Sequence, residues 1–110
     1  MYVRMRLVTM EDADLLLKWR NDPVAVVQSN SISEVSHDEH IKWLESRLNS
    51  DKSMILIGSI GEDGEPIGMV RLDETREQIW HVSINLAPEH RGKGLSSALL
   101  KAASGRVKIA

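Results

Sequence analysis

Apolar residues recur along this chain in two rhythms, and the switches between them divide it into elements. Tyr2, Val3, Met5, Leu7 and Val8 are spaced by Arg4 and Arg6, which predicts a first strand. Thr9, with Asp12 three residues later, predicts a helix start. The threonine oxygen can accept from free first-turn N–H groups, and a carboxylate there suits the dipole. Ala13, Leu16, Leu17 and Arg20 then fall on one side of a helix, Leu15 and Trp19 widen the apolar arc, and Asn21-Asp22-Pro23 stops it. Residues 24–35 are mixed and serine-rich, a loop with a short helical piece. Ser36-His37-Asp38-Glu39 is a capping box in sequence form, followed by Ile41, Leu44 and Leu48 as the buried stripe of a second helix that Asn49-Ser50-Asp51 ends.

Met54 to Ile60 is nearly all apolar and rich in branched residues, the pattern of a strand covered on both faces. Gly61 to Pro66 reads as a turn, with Glu62, Asp63 and Glu65 as its solvated acids, and Ile67 to Leu72 as the returning strand. A second turn, Asp73 to Glu77, leads to a strand from Ile79 to Leu86. There Trp80, Val82, Ile84 and Leu86 alternate with polar His81, Ser83 and Asn85, so one face is equipped for chemistry or for solvent. Pro88 ends that strand, Glu89 to Gly94 turns, and Leu95 to Ala103 is a helix burying Leu95, Ala98, Leu99 and Ala102, closed by Ser104-Gly105. Val107 to Ala110 reads as the start of another strand.

Composition changes this picture mainly by exclusion. The 110 residues suffice for one domain with one core. A net charge of −2 without a basic block leaves no electrostatic footprint for nucleic acid. The absence of cysteine excludes disulfides, thiolate zinc sites and a cysteine nucleophile. No apolar run reaches the ~18 residues of a membrane span, and residues 1–8 lack a signal-peptide core, so the expectation is a cytoplasmic protein with no membrane partner. No set of histidines and carboxylates has metal-ligand spacing. Trp19 and Trp43 are read as packing residues rather than substrate stackers, Arg20 and Asn21 as a solvated helix end with contact to a sugar or phosphate as the alternative, His37 and His40 as helix-face residues, and His90 as a flanking residue without chemistry.

The strongest chemical signal is Leu86-Ala87-Pro88-Glu89-His90-Arg91-Gly92-Lys93-Gly94-Leu95-Ser96, a strand entering a glycine turn that enters a helix. First-turn N–H groups lack intrahelical partners, and with the dipole they make an anion site. Gly92 and Gly94 allow unusual dihedrals and a close ligand, while Arg91 and Lys93 add positive charge. This is a diphosphate cradle for a nucleotide-like cofactor. The spacing of a phosphate-binding P-loop is absent. A dinucleotide fingerprint would need glycine where Ser97 stands, on a parallel unit that the hairpin strands do not form.

These residues resemble the GNAT acetyltransferases, which carry Gln/Arg-x-x-Gly-x-Gly/Ala between their fourth strand and third helix. Arg91, Gly94 and Ser96 occupy those positions, serine departing from glycine or alanine. The order of elements along the whole chain is also that of the family. The resemblance implies an α/β (α+β) GNAT fold, a mixed, mostly antiparallel sheet flanked by helices. Residues 1–110 would form a single incomplete domain, from strand 1 to the start of strand 5, with the C-terminal part missing. Trp19-Arg20-Asn21-Asp22 and His40-x-x-Trp43-Leu44 also resemble members that acetylate nucleotide-linked amino sugars or protein N-termini.

By that resemblance acetyl-CoA is the co-substrate and a small-molecule or peptide amine the acceptor, attacked directly, with no metal. Backbone near Asn85, Leu86 and Ala87 would receive pantetheine, and the N–H groups of Arg91, Gly92, Lys93, Gly94, Leu95 and Ser96 the pyrophosphate. His81, Ser83 and Asn85 are the catalytic candidates, as base or water relay; their bland alternative is hydrogen-bonded polar residues beneath a helix. The family's general acid, often a tyrosine, would follow Ala110; Tyr2 is not assigned that role. The expectation is therefore that the 110-residue chain alone transfers acetyl poorly, and that its open sheet edge pairs with a second copy as a homodimer. A non-catalytic acyl-CoA-binding module and an interaction domain stand as alternatives.

Overall fold

The computed structural model describes residues 3–22, 35–62, 64–76 and 79–104. Strands β1 (Arg4–Leu7), β2 (Ser53–Ile60), β3 (Glu65–Arg76) and β4 (Ile79–Leu86) pair antiparallel in the order β1-β2-β3-β4. Helices α1 (Ala13–Arg20) and α2 (His37–Leu48) lie between β1 and β2 in sequence, and α3 (Leu95–Ser104) follows β4. Tyr2, most of the serine-rich stretch, Asp63, Gly105 and the run from Val107 to Ala110 lie outside the described residues.

The apolar run of β2 explains the layering. Ile55 and Ile57 pack on one face with α1 and α2, beside Leu16, Trp19 and Leu44. Leu56, between them in sequence, joins the other face with Leu72, Leu95 and Leu99 of β3 and α3. All three β2 residues are at most 2% exposed, so the sheet is covered on both sides as its continuous hydrophobicity predicts. On β4 the alternation holds as well. Trp80, Val82, Ile84 and Leu86 pack toward α3, which turns the odd residues to the α1 and α2 face.

Two glycines relieve crowding at the sheet. A Cβ at Gly58 would run into the Leu99 side chain of α3, and one at Gly68 would lie only 2.8 Å from the Asn85 carbonyl oxygen of the paired strand. Neither has room for a side chain at the present spacing.

Local caps secure the first helical segment. Arg6 holds the Asp12 carboxylate with two bonds of 2.8 and 2.7 Å, and Asp12 in turn accepts from the Thr9 N–H at 3.0 Å. Ser36 Oγ accepts from the Glu39 N–H at 3.2 Å at the start of α2.

Three expectations need correction. The turn predicted at Asp73 to Glu77 does not begin at Asp73, because β3 runs on to Arg76, and Glu77 lies outside the described residues. The polar residues there are satisfied within the fold: Asp73 accepts from Ser53 Oγ at 2.6 Å and Arg47 at 3.2 Å, and Glu74 N–H donates to the Lys52 carbonyl at 2.8 Å. On α1 the buried positions are Ala13, Leu16 and Trp19, three residues apart along one face, with Leu17 only half-buried beside that line. On α3 the buried residue of the last turn is Ala103, not Ala102.

Candidate active site

The glycine turn is anchored at both ends and open between them. Ala87 is fully buried and donates its N–H to the Ile67 carbonyl at 2.8 Å. A 3-10 turn over Pro88–His90 leads to Arg91 in extended conformation, φ −72° and ψ 151°. Gly92 and Gly94 then take φ of 77° and 72°, left-handed values that favour glycine, and nothing lies within 4 Å of where a Cβ would project from either. Leu95 drops into the core at 3% exposure while Lys93 and Ser96 stay exposed. The start of α3 is thus held in the core by its leucine, and the two glycines before it face open space on the side where a Cβ would project.

Arg91 contributes differently from its neighbours. Its Nη1 donates to Asp22 Oδ2 at 2.5 Å, tying the turn to the end of α1. Its Nη2 is buried with no hydrogen-bond partner. His90, read as a flanking residue, is in fact buried, with Nε2 3.3 Å from Glu65 Oε1. That is ion-pair distance without the alignment of a hydrogen bond, since the same nitrogen lacks a bonded partner.

The bond from Ala87 to Ile67 also sets which β4 groups are free. In an antiparallel ladder bonded and non-bonded pairs alternate. Asn85 opposite Met69 and Ser83 opposite Arg71 are therefore committed to β3 like Ala87, while Leu86 and Ile84 turn their N–H and C=O to the outer side. Among the described residues β4 ends the sheet, so those groups lie on its outer edge.

The catalytic candidates are separated by depth. His81 is exposed, Ser83 is half-buried, and Asn85 donates its Nδ2 to the Trp19 carbonyl at 3.3 Å, bridging to the end of α1. Ser83 and Asn85 share the stretch of sheet toward α1; His81 lies opposite Asp73, farther from the glycine turn.

Sequence reasoning missed what surrounds them. The Arg20 guanidinium stands 4.6 Å from the Trp43 ring centroid, and Arg71 reaches the same ring at 5.7 Å. His40 is 1% exposed and stacks on Trp43 with centroids 5.7 Å apart. Its Nε2 lies 3.0 Å from the Ala13 carbonyl and its Nδ1 3.4 Å from Arg20 Nη1. A carbonyl only accepts and a guanidinium only donates, so Nε2 carries the hydrogen and the neutral ring is satisfied at both nitrogens. Burial foremost holds the imidazole below its usual pKa, with Arg20 pushing the same way against the Ala13 carbonyl. Burial also lowers Arg20, aided by Arg71 and opposed by Glu39. Asn21 is neither a solvated end nor free: its side chain bonds both the N–H and the C=O of Val35 at 2.8 Å. The stripe His40, Leu44, Leu48 and the period-two set Met69, Arg71, Asp73 were the signals available for these residues.

Among the described residues no helix is long and apolar enough to cross a membrane, and no group of three or more His, Cys, Asp or Glu is placed to hold a metal.

The profile of the acetyltransferase (GNAT) family matches residues 14–108. Two similar solved structures are a spermidine N-acetyltransferase from Vibrio cholerae in complex with CoA and spermine, and an aminoglycoside acetyltransferase, AAC(6')-Ib, in complex with coenzyme A. The first has a TM-score of 0.82 at 20% identity over 94% of this chain and 62% of its own. The second has a TM-score of 0.79 at 23% identity over 96% and 66%. The chain thus spans less than two thirds of the length of either, and at these identities the likeness is one of fold. Comparison with curated proteins gives no match.

Proposed function

The chain belongs to the GNAT acetyltransferase family, and from that premise we propose that it moves the acetyl group of acetyl-CoA to a primary amine by direct attack. The observation that carries the reading is the open glycine turn, with two left-handed glycines and no atom within 4 Å of their Cβ directions. Main chain from Arg91 to Ser96 would hold the pyrophosphate. The outward N–H and C=O groups of Ile84 and Leu86, rather than those of Asn85 and Ala87, would pair with pantetheine as an added strand does.

Acetyl-CoA supplies the thioester, and the remaining work falls to the chain. It orients the amine beside the β4 edge and removes a proton from the ammonium, since only the free amine is a nucleophile. Ser83 and Asn85 are the groups proposed to hold the relaying water, Asn85 being fixed by its bond to Trp19. His81, exposed, is the proposed final proton acceptor. Nucleotide-linked amino sugars and protein N-termini are the acceptor classes carried by this reading, with small polyamines, such as the spermine bound by the Vibrio enzyme, a third. The reaction is proposed to run in the cytoplasm. The same β4 edge would serve a homodimer, so self-pairing and cofactor would compete for Ile84 and Leu86.

Calorimetric titration of acetyl-CoA into the full chain and into Gly94→Trp tests the reading. A side chain at φ 72° strains the turn by about 1 kcal/mol and fills the cradle, so saturable binding is expected in the parent and not in the variant. No binding by a folded parent chain, or equal binding by both, would overturn it.

A further inference from the structure

Guanidinium groups that leave bulk water normally find a carboxylate. Arg71 does, with Nε 2.9 Å from Asp73 Oδ2. Asp73 is already shared with Arg47 at 3.2 Å and with Ser53, so one carboxylate serves two arginines. Arg20 has no carboxylate within ion-pair distance among the described residues. It is half-buried and touches the Trp43 face and the Nδ1 of a neutral His40. Neither neighbour carries a negative charge, and Arg71 approaches the same indole. Glu39 attracts Arg20 through space but is exposed and makes no ion pair with it. The indole and imidazole fix the direction of the Arg20 fork without spending its charge. Arg20, Arg71 and Trp43 all remain partly exposed, so the surplus positive charge is accessible. It also sits on the same sheet face as Ser83 and Asn85, Arg71 lying directly opposite Ser83.

We infer that Arg20 and Arg71, standing over Trp43, form an anion subsite, and that the acceptor amine carries a phosphate or carboxylate that docks there. The inference rests on the acetyl-transfer reading for the amine, but the subsite itself is a property of this chain and can be tested without turnover. Binding would place two planar donors on one anionic group, a match that ammonium side chains or a neutral acceptor cannot reproduce. A cationic acceptor would meet repulsion at the same point.

The test uses tryptophan fluorescence of the full chain with saturating CoA, titrated with glucosamine 6-phosphate, glucosamine, β-alanine and 1,4-diaminobutane. At least one anionic probe is expected to give a saturable change, with neutral glucosamine and the diamine at least tenfold weaker. The phosphate and carboxylate arms decide which anion is taken. Arg20→Gln should weaken the anionic probe at least tenfold, while Arg20→Lys, which keeps the charge and guards against a folding artefact, should retain part of the affinity. Equal binding of charged and neutral probes, tighter binding of the diamine, no response to either anion, or an Arg20→Gln chain that binds like the parent would overturn the subsite. If the subsite binds the anionic probe but a parallel calorimetric titration shows no acetyl-CoA binding, the acetyl-transfer reading fails and the anion site stands.

Discussion

His40 sits between a group that can only accept a hydrogen bond and one that can only donate, which makes its protonation a structural event. A second proton on the ring would place an N–H against the Arg20 guanidinium in a buried setting. Its folded pKa is depressed from the ordinary 6.5, so the stability it contributes is present above about 6.5 and is lost as pH falls below that value toward the folded one. Thermal melts between pH 7.5 and 5 should show a falling midpoint, and His40→Gln should flatten that slope while costing about 1–3 kcal/mol at neutral pH for the lost buried bonds. Asp12 shifts in the same sense, chiefly through Arg6, but its loss begins only below its ordinary 3.8. The two contributions therefore occupy separate pH windows, and a midpoint that stays level from 7.5 to 5 would remove His40 from the account. At the residue scale only its burial was legible, from the spacing His40, Leu44, Leu48; the Ala13 carbonyl that fixes its tautomer comes from another helix, which no local pattern shows.

Elements were more legible than residues, because periodicity depends only on which side is wet. The both-faces-buried β2, the alternating β4 and the strand–turn–helix unit around Gly92 and Gly94 all follow from pattern. The length of β3 did not, since Asp73 and Glu74 are polar for pairing reasons and polarity alone suggests a turn. The glycines of β2 and β3 separate the two kinds of crowding. An alanine at Gly58 meets the end of the Leu99 side chain, whereas one at Gly68 meets main chain at Asn85 and Leu86. Both should destabilise by about 1–3 kcal/mol in denaturant titrations, Gly68→Ala the more, because a side chain can rotate away and a paired strand cannot. The ladder phase of β4 makes a further prediction. Amide exchange at Ile84 and Leu86 should be fast in the free chain and slow with acetyl-CoA, while Asn85 and Ala87 are protected in both. Uniform protection along β4 in the free chain would mean that the edge is covered by something other than cofactor.

At the scale of the whole molecule the sheet is a partition. Leu44 lies in the core on the α1 and α2 side and Leu99 in the core under α3, both fully buried. Each truncation to alanine should cost about 2–5 kcal/mol, and the double variant should equal the sum within about 0.5 kcal/mol, because the sheet keeps the two cavities from sharing neighbours. A larger coupling in denaturant melts would show that strain crosses the sheet. Asn21 has a consequence on this scale too. By holding Val35 with two bonds it joins the end of α1 to the residue that leads into α2. The closure cost is thereby met at the junction, and it grows only slowly with the number of residues enclosed, about 0.6 kcal/mol per doubling. The junction is thus a splice point: a change in the length of the enclosed sequence should leave α1 and α2 on either side of it in register.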